Sequence, residues 1–141
     1  MDLKIKIHKM NGMSIPKYSY KGDAGFDLCS SEDCTLRHME SKLIPTGMRI
    51  EIPEGYVGLI WDRSGLASKH SLHTLAGVID SHYRGEIKIV MINLGKENFV
   101  ITKGMRIAQM LIQPVVNAEL IESESLSETE RGGNGFGSTR F

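Results

Sequence analysis

Residues 87–116 read IKIVMINLGKENFVITKGMRIAQMLIQPVV and contain three apolar runs, at 87–94, 99–101 and 107–116. The turn sequences GKEN and KG separate these runs, which are rich in β-favouring residues. Each run therefore predicts a strand. The first and last runs are apolar on both faces, whereas a small barrel covers only the inner face of its strands. We expect a neighbouring subunit to cover the outer faces.

The same pattern of short strands and turns continues towards the N-terminus. Alternating or apolar β-favouring residues predict further strands within residues 3–8, 48–52, 56–61 and 75–79. Residues 66–70 instead predict a single helical turn, for which Ser64 is the candidate N-cap. Many short strands separated by turns indicate an all-β barrel or sandwich.

Composition and charge exclude several classes of protein. The 141 residues fit one domain, and 40% hydrophobic and 24% charged residues are ordinary for a globular chain. Seventeen basic and seventeen acidic residues cancel, which argues against stable nucleic-acid binding and against a binder of anionic membranes. No apolar run approaches the roughly 20 residues of a membrane-spanning helix, and the N-terminus has no signal-peptide core.

The cysteines and histidines predict neither a disulfide framework nor a metal cage. Cys29 and Cys34 are too few for either, so we interpret them as small, partly buried side chains. The five histidines lack metal-binding spacing and are interpreted as surface or turn residues. Free thiols indicate a reducing compartment, the cytoplasm, with the nucleus an alternative for a eukaryotic or viral chain.

The C-terminal part differs in kind from the rest. Residues 117–130 contain five glutamates and no basic residue, which predicts a solvated linker. Residues 131–141 read RGGNGFGSTRF, and four glycines favour mobility. An aromatic ring, two hydroxyls and two arginines are nevertheless more than an inert tail needs. We divide the chain into a β domain at 1–116, an acidic linker at 117–130 and a flexible arm at 131–141.

Five segments contain residue types that can carry chemistry. In DAGFDL (23–28), two carboxylates flank a small centre, and RSGLA (63–67) can offer a cation, a hydroxyl and backbone N–H groups to a phosphate. GVIDSHYRG (77–85) predicts a hairpin with Asp80 at a pocket rim, where a carboxylate can hold a water. Gln109 is a polar residue within an apolar strand, and the glycine-rich arm is the fifth segment. Taken singly, each segment also fits a plain structural role in a strand, a turn or a capped helix.

In their order and number, the five segments make the sequence resemble the trimeric dUTPase family, the deoxyuridine triphosphate nucleotidohydrolases. The motif texts are DAGFDL, RSGLA, GVIDSHYRGEI, RIAQMLI and RGGNGFGST, and they span Asp23 to Thr139. The resemblance implies a jelly-roll-type β-barrel assembled as a homotrimer. It also implies three active sites at subunit interfaces, each closed by the arm of a neighbouring subunit.

The resemblance implies hydrolysis of dUTP to dUMP and pyrophosphate by attack of water on the α-phosphorus. That reaction lowers dUTP and supplies dUMP for thymidylate synthesis. Asp80 would be the general base, and Gln109 would help to hold the water or the α-phosphate. Mg²⁺ is the implied cofactor because a triphosphate carries several negative charges. Asp27 would bind the waters of the ion rather than the ion itself.

The resemblance also assigns the contacts to the phosphates. Arg63, Ser64 and the backbone of Gly65 would meet phosphate oxygens, and Arg131 would add positive charge from the arm. The arm also supplies three further candidate binding residues, Gly137, Ser138 and Thr139.

Recognition of the base is assigned to the predicted hairpin and the arm. Backbone groups from Gly77 to Tyr83, including Ile79, would pair with the uracil edge, reject cytosine and leave no room for a thymine methyl group. Tyr83 would pack on the deoxyribose and exclude a 2′-hydroxyl. Phe136 would stack on the uracil.

Three residues depart from the family pattern. Asp62 stands before Arg63, where the family usually has a small residue or proline, and it either dampens the phosphate-binding charge or points away. Met105 replaces an acidic residue, which predicts the loss of a structural ion pair. Arg140 stands where a glycine usually follows the Ser-Thr pair.

Three other functions compete with this interpretation. A dCTP deaminase has a related fold but would need a deamination glutamate in the region that reads GVID. A trimer that kept the fold only to bind a partner would have no need of the intact set of catalytic and binding residues. An unrelated β-structured binding or coat protein would leave the order of the motifs unexplained.

Overall fold

The computed structural model describes residues 2–141, and ten strands and one helix follow one another in this range. In chain order they are β1 (Lys6–Lys9), β2 (Gly25–Cys29), β3 (Cys34–Leu36), β4 (Ser41–Glu51), β5 (Tyr56–Trp61), α1 (Ser64–His70), β6 (Leu72–Leu75), β7 (Val78–Ile79), β8 (Glu86–Asn93), β9 (Phe99–Ile101) and β10 (Arg106–Pro114). The predicted all-β class is confirmed. No helix in residues 2–141 is long and apolar enough to cross a membrane.

The strands form two four-stranded sheets and a separate ladder. One sheet has the order β1-β4-β8-β6, the other has the order β2-β10-β5-β7, and β3 pairs with β9. Every pairing is antiparallel. From β4 to β8, each successive strand lies in the opposite four-stranded sheet, so the chain crosses repeatedly between the two sheets, as in a jelly roll. The predicted jelly-roll-type fold is confirmed, although the hydrogen bonds described in residues 2–141 do not close the sheets into a barrel.

Both sheets contribute their inner faces to one hydrophobic core. In β8, Ile87, Ile89 and Met91 are almost completely buried and alternate with more exposed residues, as the two-residue period of a strand requires. In β10, Ile107 and Met110 are fully buried in the same cluster. Each such side chain contributes roughly 1.5–3 kcal/mol through burial, so the core is a firm base for the surrounding loops.

Each sheet also presents apolar side chains on its outer face. On β8, Val90 lies opposite Leu43 of β4, which is 57% exposed. On the other sheet, Leu59 lies opposite Leu111, and the neighbouring Trp61 is 59% exposed. These exposed apolar side chains agree with the sequences of the two long strands, which are apolar on both faces. Their covering by another subunit stays a prediction.

Several predicted elements match the structure closely. The strands predicted at 56–61 and 99–101 coincide with β5 and β9, and those at 87–94 and 107–116 correspond to β8 and β10 with shifted ends. The single strand predicted at 75–79 is wrong, because β6 ends at Leu75 and β7, at Val78–Ile79, lies in the other sheet. Between them, Gly77 has φ +123, and an added Cβ would lie 2.9 Å from the Ile60 carbonyl oxygen, so this crossing needs glycine.

The helix is longer than predicted and is capped differently. It covers Ser64–His70, and Ser64 is its first helical residue, so the predicted Ser64 N-cap is wrong. Arg63 occupies the N-cap position in an extended conformation and makes no side-chain capping bond. The helix ends at His70, and the C-cap residue Ser71 has a left-handed φ of 55° that turns the chain into β6.

The hairpin predicted at 77–85 is a turn between the two sheets. Since β7 pairs with β5 whereas β8 pairs with β4 and β6, the two strands are not hydrogen-bonded to each other. The Tyr83 N–H donates to the Asp80 carbonyl over 3.1 Å, and the Tyr83 hydroxyl donates to the Glu86 carbonyl over 2.7 Å. The residues between β7 and β8 therefore form a compact turn at one end of the sandwich.

Candidate active site

A cavity of about 390 Å³ brings together several residues that are far apart in the sequence. Its lining includes Asp27 of β2, Gln109 of β10 and the junction residues Arg63, Ser64 and Gly65. The register explains the meeting, because Gln109 lies opposite Asp27 on one side and opposite Trp61, at the end of β5, on the other. Five predicted site residues thus share one cavity within one chain.

The carboxylate of Asp27 is the electrostatic centre of this cavity. Its Oδ1 lies 3.0 Å from Nε of Arg63, and its Oδ2 lies 3.5 Å from Nη1 of Arg106. The Ser19 hydroxyl donates to Oδ2 over 3.1 Å. A carboxylate accepts up to about four hydrogen bonds, so Asp27 keeps acceptor capacity for water. The two guanidinium groups offset its negative charge beside a site that would receive phosphates.

The side chain of Gln109 is held from two sides. Its Nε2 donates to the Asp62 carbonyl over 2.8 Å. On the opposite side, a Cβ added to Gly25 would lie 2.5 Å from Oε1 of Gln109, so only glycine leaves room there. The polar residue noted within an apolar strand thus has a structural partner and also faces the cavity.

Two of the three departures from the family pattern have local explanations, and the third, Arg140, has none in the structure. Asp62 points away from the cavity and binds Thr74 and His73 on β6, so the second alternative for this residue is correct. Met105 packs against the hydrophobic core. Arg140 has a left-handed φ of 64°, the conformation that favours glycine.

The turn after β7 lies far from this cavity in the same chain. Ile79 lies opposite Gly58 of β5, which lies opposite Ile112 of β10, and Gln109 is three residues away along β10. Asp80 is the residue after β7. Asp80 and Gln109 are therefore separated by four residues along the strand direction and by two strand spacings across the sheet. The Cα atoms of Asp80 and Gln109 are therefore about 17 Å apart. One chain does not unite Gly77, Ile79, Asp80 and Tyr83 with the residues of the cavity.

The arm forms a third group of predicted residues. Three turns in the arm are each closed by a backbone hydrogen bond. The N–H groups of Asn134, Ser138 and Arg140 donate to the carbonyls of Arg131, Gly135 and Gly137, respectively. The ring of Phe136 is fully exposed. Together with Arg131 and the segment Gly137, Ser138 and Thr139, it borders a hollow formed by the arm and the last two residues of the linker. The predicted residues thus fall into three groups.

Sequence reasoning missed several residues that line the cavity or contact Asp27. Arg106 contacts Asp27 and opens the fourth motif, RIAQMLI, but it had no assigned role. Ser19 and Tyr20 gave no local signal, because their loop reaches the cavity only by folding back along β2, where the Asp27 N–H donates to the Lys17 carbonyl.

The two cysteines are free thiols and half-buried, as predicted. Cys29 borders a larger hollow of about 810 Å³ on the other side of Asp27. Burial is the main cause that raises the pKa of Cys29, and the neighbouring Asp27 carboxylate raises it further. The raised pKa disfavours the thiolate, so this residue is not prepared to act as a nucleophile.

Comparisons with known proteins agree on one family. The family model described as dUTPase matches residues 11–140. The deoxyuridine 5'-triphosphate nucleotidohydrolase of Nautilia profundicola is 54% identical over 140 residues, which cover 97% of this chain and 99% of that protein. The protein of the same name from Trichodesmium erythraeum is 50% identical, with coverage of 97% and 99%.

Solved structures extend the similarity to the fold. The dUTPase of Staphylococcus bacteriophage 80alpha with dUPNHPP has a TM-score of 0.90 at 32% identity, covering 96% of this chain and 97% of that chain. A mutant dUTPase from phage phi11 of S. aureus, described with a structural Mg(II) ion, has a TM-score of 0.81 at 29% identity, covering 87% and 98%. On the match of the family model and of relatives about half identical over nearly its whole length, the chain belongs to the dUTPase family.

Proposed function

We propose that this chain, which as a family member hydrolyses dUTP, does so by adding a water to the α-phosphorus. The water oxygen bonds to that phosphorus, the bond to the bridging oxygen breaks, and dUMP and diphosphate leave. The observation that carries this proposal is the convergence of Asp27, Arg63, Ser64 and Gln109 around one cavity. Cationic, hydroxyl and amide groups in one place suit a polyphosphate.

The junction between β5 and α1 is the proposed phosphate-binding segment. Arg63 uses Nε for Asp27, which leaves its terminal nitrogens for phosphate oxygens. The Ser64 side chain is exposed, and nothing lies within 4 Å of a Cβ added at Gly65, so a phosphate can approach that backbone closely. Arg131 would add positive charge when the arm closes.

Asp80 is the proposed general base. It is exposed at the turn after β7, and no side chain within residues 2–141 pairs with its carboxylate, so it is free to accept a proton from water. A positioned base contributes roughly 10²–10⁴-fold to a rate. Its separation from Gln109 means that the water it activates would serve the cavity of a neighbouring chain.

This separation supports the proposal of a homotrimer with shared sites. Within one chain, the cavity, the turn after β7 and the arm form three separate groups, and both sheets have apolar outer faces that a neighbour would cover. Association would bury these faces and bring one chain's turn to the next chain's cavity. The proposed division into a β domain at 1–116, a linker at 117–130 and an arm at 131–141 gives the arm the reach to close a third chain's site.

The exposed edge of β7 is the proposed uracil-reading element. This strand is at the edge of its sheet and pairs with β5 alone, so those backbone groups between Gly77 and Tyr83, including Ile79, that do not bond β5 can pair with a base. The Gly77 carbonyl already accepts the Ile60 N–H over 2.9 Å. Tyr83 would pack on the deoxyribose. Phe136, fully exposed on the arm, would stack on the uracil and contribute roughly 1–3 kcal/mol.

The donor groups of the cavity fit Mg²⁺ bound mainly by phosphates and waters. Asp23 and Asp27 supply two carboxylates, and residues 2–141 contain no group of three His, Cys, Asp or Glu side chains that could hold a metal. Mg²⁺ commonly keeps several waters and binds substrate phosphates. Asp27 would hold those waters, and the ion, when bound, neutralises charge on the triphosphate.

The consequence in the cell would be a lower dUTP concentration and a supply of dUMP for thymidylate synthesis, in the cytoplasm or the nucleus.

Membership of the family excludes the unrelated coat protein. A dCTP deaminase would release ammonia from dCTP, whereas the proposed enzyme releases diphosphate from dUTP.

Hydrolysis in ¹⁸O-labelled water tests the mechanism directly. Attack on the α-phosphorus puts the label in dUMP, and mass spectrometry of both products locates it. Label in the diphosphate would overturn the proposal, as would cleavage of dCTP, dTTP and UTP as fast as dUTP. A family member with the proposed site should leave these three nucleotides almost untouched.

A further inference from the structure

Asp62 connects β5 to α1 and immediately precedes Arg63, yet its side chain contacts a different sheet. Oδ1 accepts hydrogen bonds from the Thr74 N–H and the Thr74 hydroxyl, over 2.6 and 2.7 Å. Oδ2 lies 2.6 Å from Nδ1 of His73. Both partners belong to β6, which is in the sheet opposite to β5. Asp62 thus ties the junction that follows one sheet to the edge strand of the other.

Two side chains of the cavity depend on the backbone of this junction. The carbonyl of Asp62 accepts a 2.8 Å hydrogen bond from Nε2 of Gln109. The next residue, Arg63, places Nε 3.0 Å from Oδ1 of Asp27. A rotation of the peptide after Asp62 would therefore disturb the amide of Gln109 and the guanidinium of Arg63 together.

We propose that Asp62 is a positioning residue: its carboxylate, bound to Thr74 and His73, fixes the carbonyl that orients Gln109 for the reacting phosphate. The proposal rests on the proposed function for the role of Gln109, and it adds a residue to which that function assigns no part. Asp62 acts only through its neighbours and does not line the cavity.

The structure favours hydrogen bonding over charge as the means of this control. Thr74 is buried, and its backbone N–H and its hydroxyl both donate to one carboxylate oxygen of Asp62. An asparagine oxygen can accept the same two bonds without the negative charge. Alanine would leave both groups of Thr74 without a partner and would free the junction to move.

Three variants and one matched control test whether the hydrogen bonds of Asp62 position Gln109. Asp62→Ala should lower kcat about 10- to 100-fold with little change in KM, because misplaced catalytic groups cost rate more than ground-state binding. Thr74→Val and Asp62→Asn should have smaller effects, and Asp62→Asn should restore most of the rate. Asp33→Ala is the control, since Asp33 likewise accepts a backbone bond, from Lys103 N–H over 2.7 Å, but in a turn that does not border the cavity.

A readout independent of activity follows the amide of Gln109. Its side-chain NH₂ resonances are assigned in ¹H–¹⁵N spectra by their disappearance in Gln109→Ala. They should shift in Asp62→Ala, return towards the wild-type position in Asp62→Asn and stay unchanged in Asp33→Ala. If Asp62→Ala does not fold, Thr74→Val and Asp62→Asn provide the same comparison.

The outcomes separate the two proposals. A wild-type chain that leaves dUTP intact would overturn the proposed function, while the NMR shifts would still report whether Asp62 orients Gln109. An active wild type with kcat in Asp62→Ala within twofold of normal would overturn the positioning role. Unmoved Gln109 resonances, or equal losses in the alanine and asparagine variants, would overturn it as well.

Discussion

The cavity at Asp27 and the turn at Asp80 are built in opposite ways. In the cavity, Asp27, Arg63 and Gln109 are held by ion pairs and hydrogen bonds within one chain. At the turn, Asp80 and Tyr83 are exposed, and the edge of β7 is free. On the proposed function, this difference means that one chain would prepare the phosphate-binding part of the site in advance and would leave the water-activating part to be completed by assembly.

Replacing Asp80 by asparagine should have the largest effect. Asp80→Asn keeps the size of the side chain but removes the base, so kcat should fall by about 10³-fold while the dissociation constant of a non-hydrolysable dUTP analogue stays within a few-fold. Steady-state kinetics and calorimetry measure the two quantities. Near-normal turnover would remove Asp80 from the role of base.

Mixing two inactive variants tests whether the site is shared between chains. Asp80→Asn has an intact cavity, and Gln109→Ala has an intact turn. When equal amounts are unfolded and reassembled as mixed trimers, about a quarter of the sites should combine one intact part from each, and activity should return to that level. Activity that stays absent after mixing would place both groups in a site of one chain. Ultracentrifugation should give three times the 15.7 kDa chain mass.

Removing the arm should have the next largest effect. A chain ending at Glu130 loses Arg131 and Phe136, which together supply a cation and a stacking ring, so kcat/KM should fall by about 10²-fold. The arm does not contribute to the hydrophobic core, so the sedimentation coefficient and the unfolding midpoint should remain close to those of the whole chain. Full activity without the arm would show that it takes no part in the site.

The contrast between the two regions also explains what the sequence could predict. Strands β5 and β9 were predicted to the residue because a local run of β-favouring side chains and its flanking turns decide them. The hairpin at 77–85 was wrong because its turn residues are compatible with either sheet, and the choice is made by the distant partner strands of β7 and β8.

The motifs identified five residues of the cavity but not how they are held. Nothing local to Asp62 indicates that its carboxylate binds Thr74, twelve residues later and in the opposite sheet. Likewise, Ser19 reaches Asp27 only because its loop folds back along β2. Such contacts depend on tertiary packing, which a pattern of residue types does not contain.

Gly25→Ala should sharpen the distinction between a prepared cavity and an open turn. The added methyl group would lie 2.5 Å from Oε1 of Gln109, so the amide must move. We expect kcat to fall about tenfold, with binding of dUMP less affected. Gly55→Ala is a useful contrast, because nothing lies within 4 Å of a Cβ added at this position. Its φ of +86 means that the alanine costs some stability. Equal kinetic losses in both variants would contradict a specific effect through Gln109.

The pH dependence of stability should show the smallest effect. Burial alone would raise the pKa of Asp62, but hydrogen bonds from Thr74 and His73 outweigh it and lower the pKa below the ordinary value of 3.8. A lowered pKa in the folded state means that the ionised carboxylate stabilises the fold above pH 3.8 and that this contribution is lost as the pH falls through the folded-state pKa. Urea unfolding of the wild type and Asp62→Asn should therefore differ most near pH 7 and converge below pH 3.8. A difference that stays constant over this range would mean that ionisation of Asp62 does not contribute to the stability of the fold.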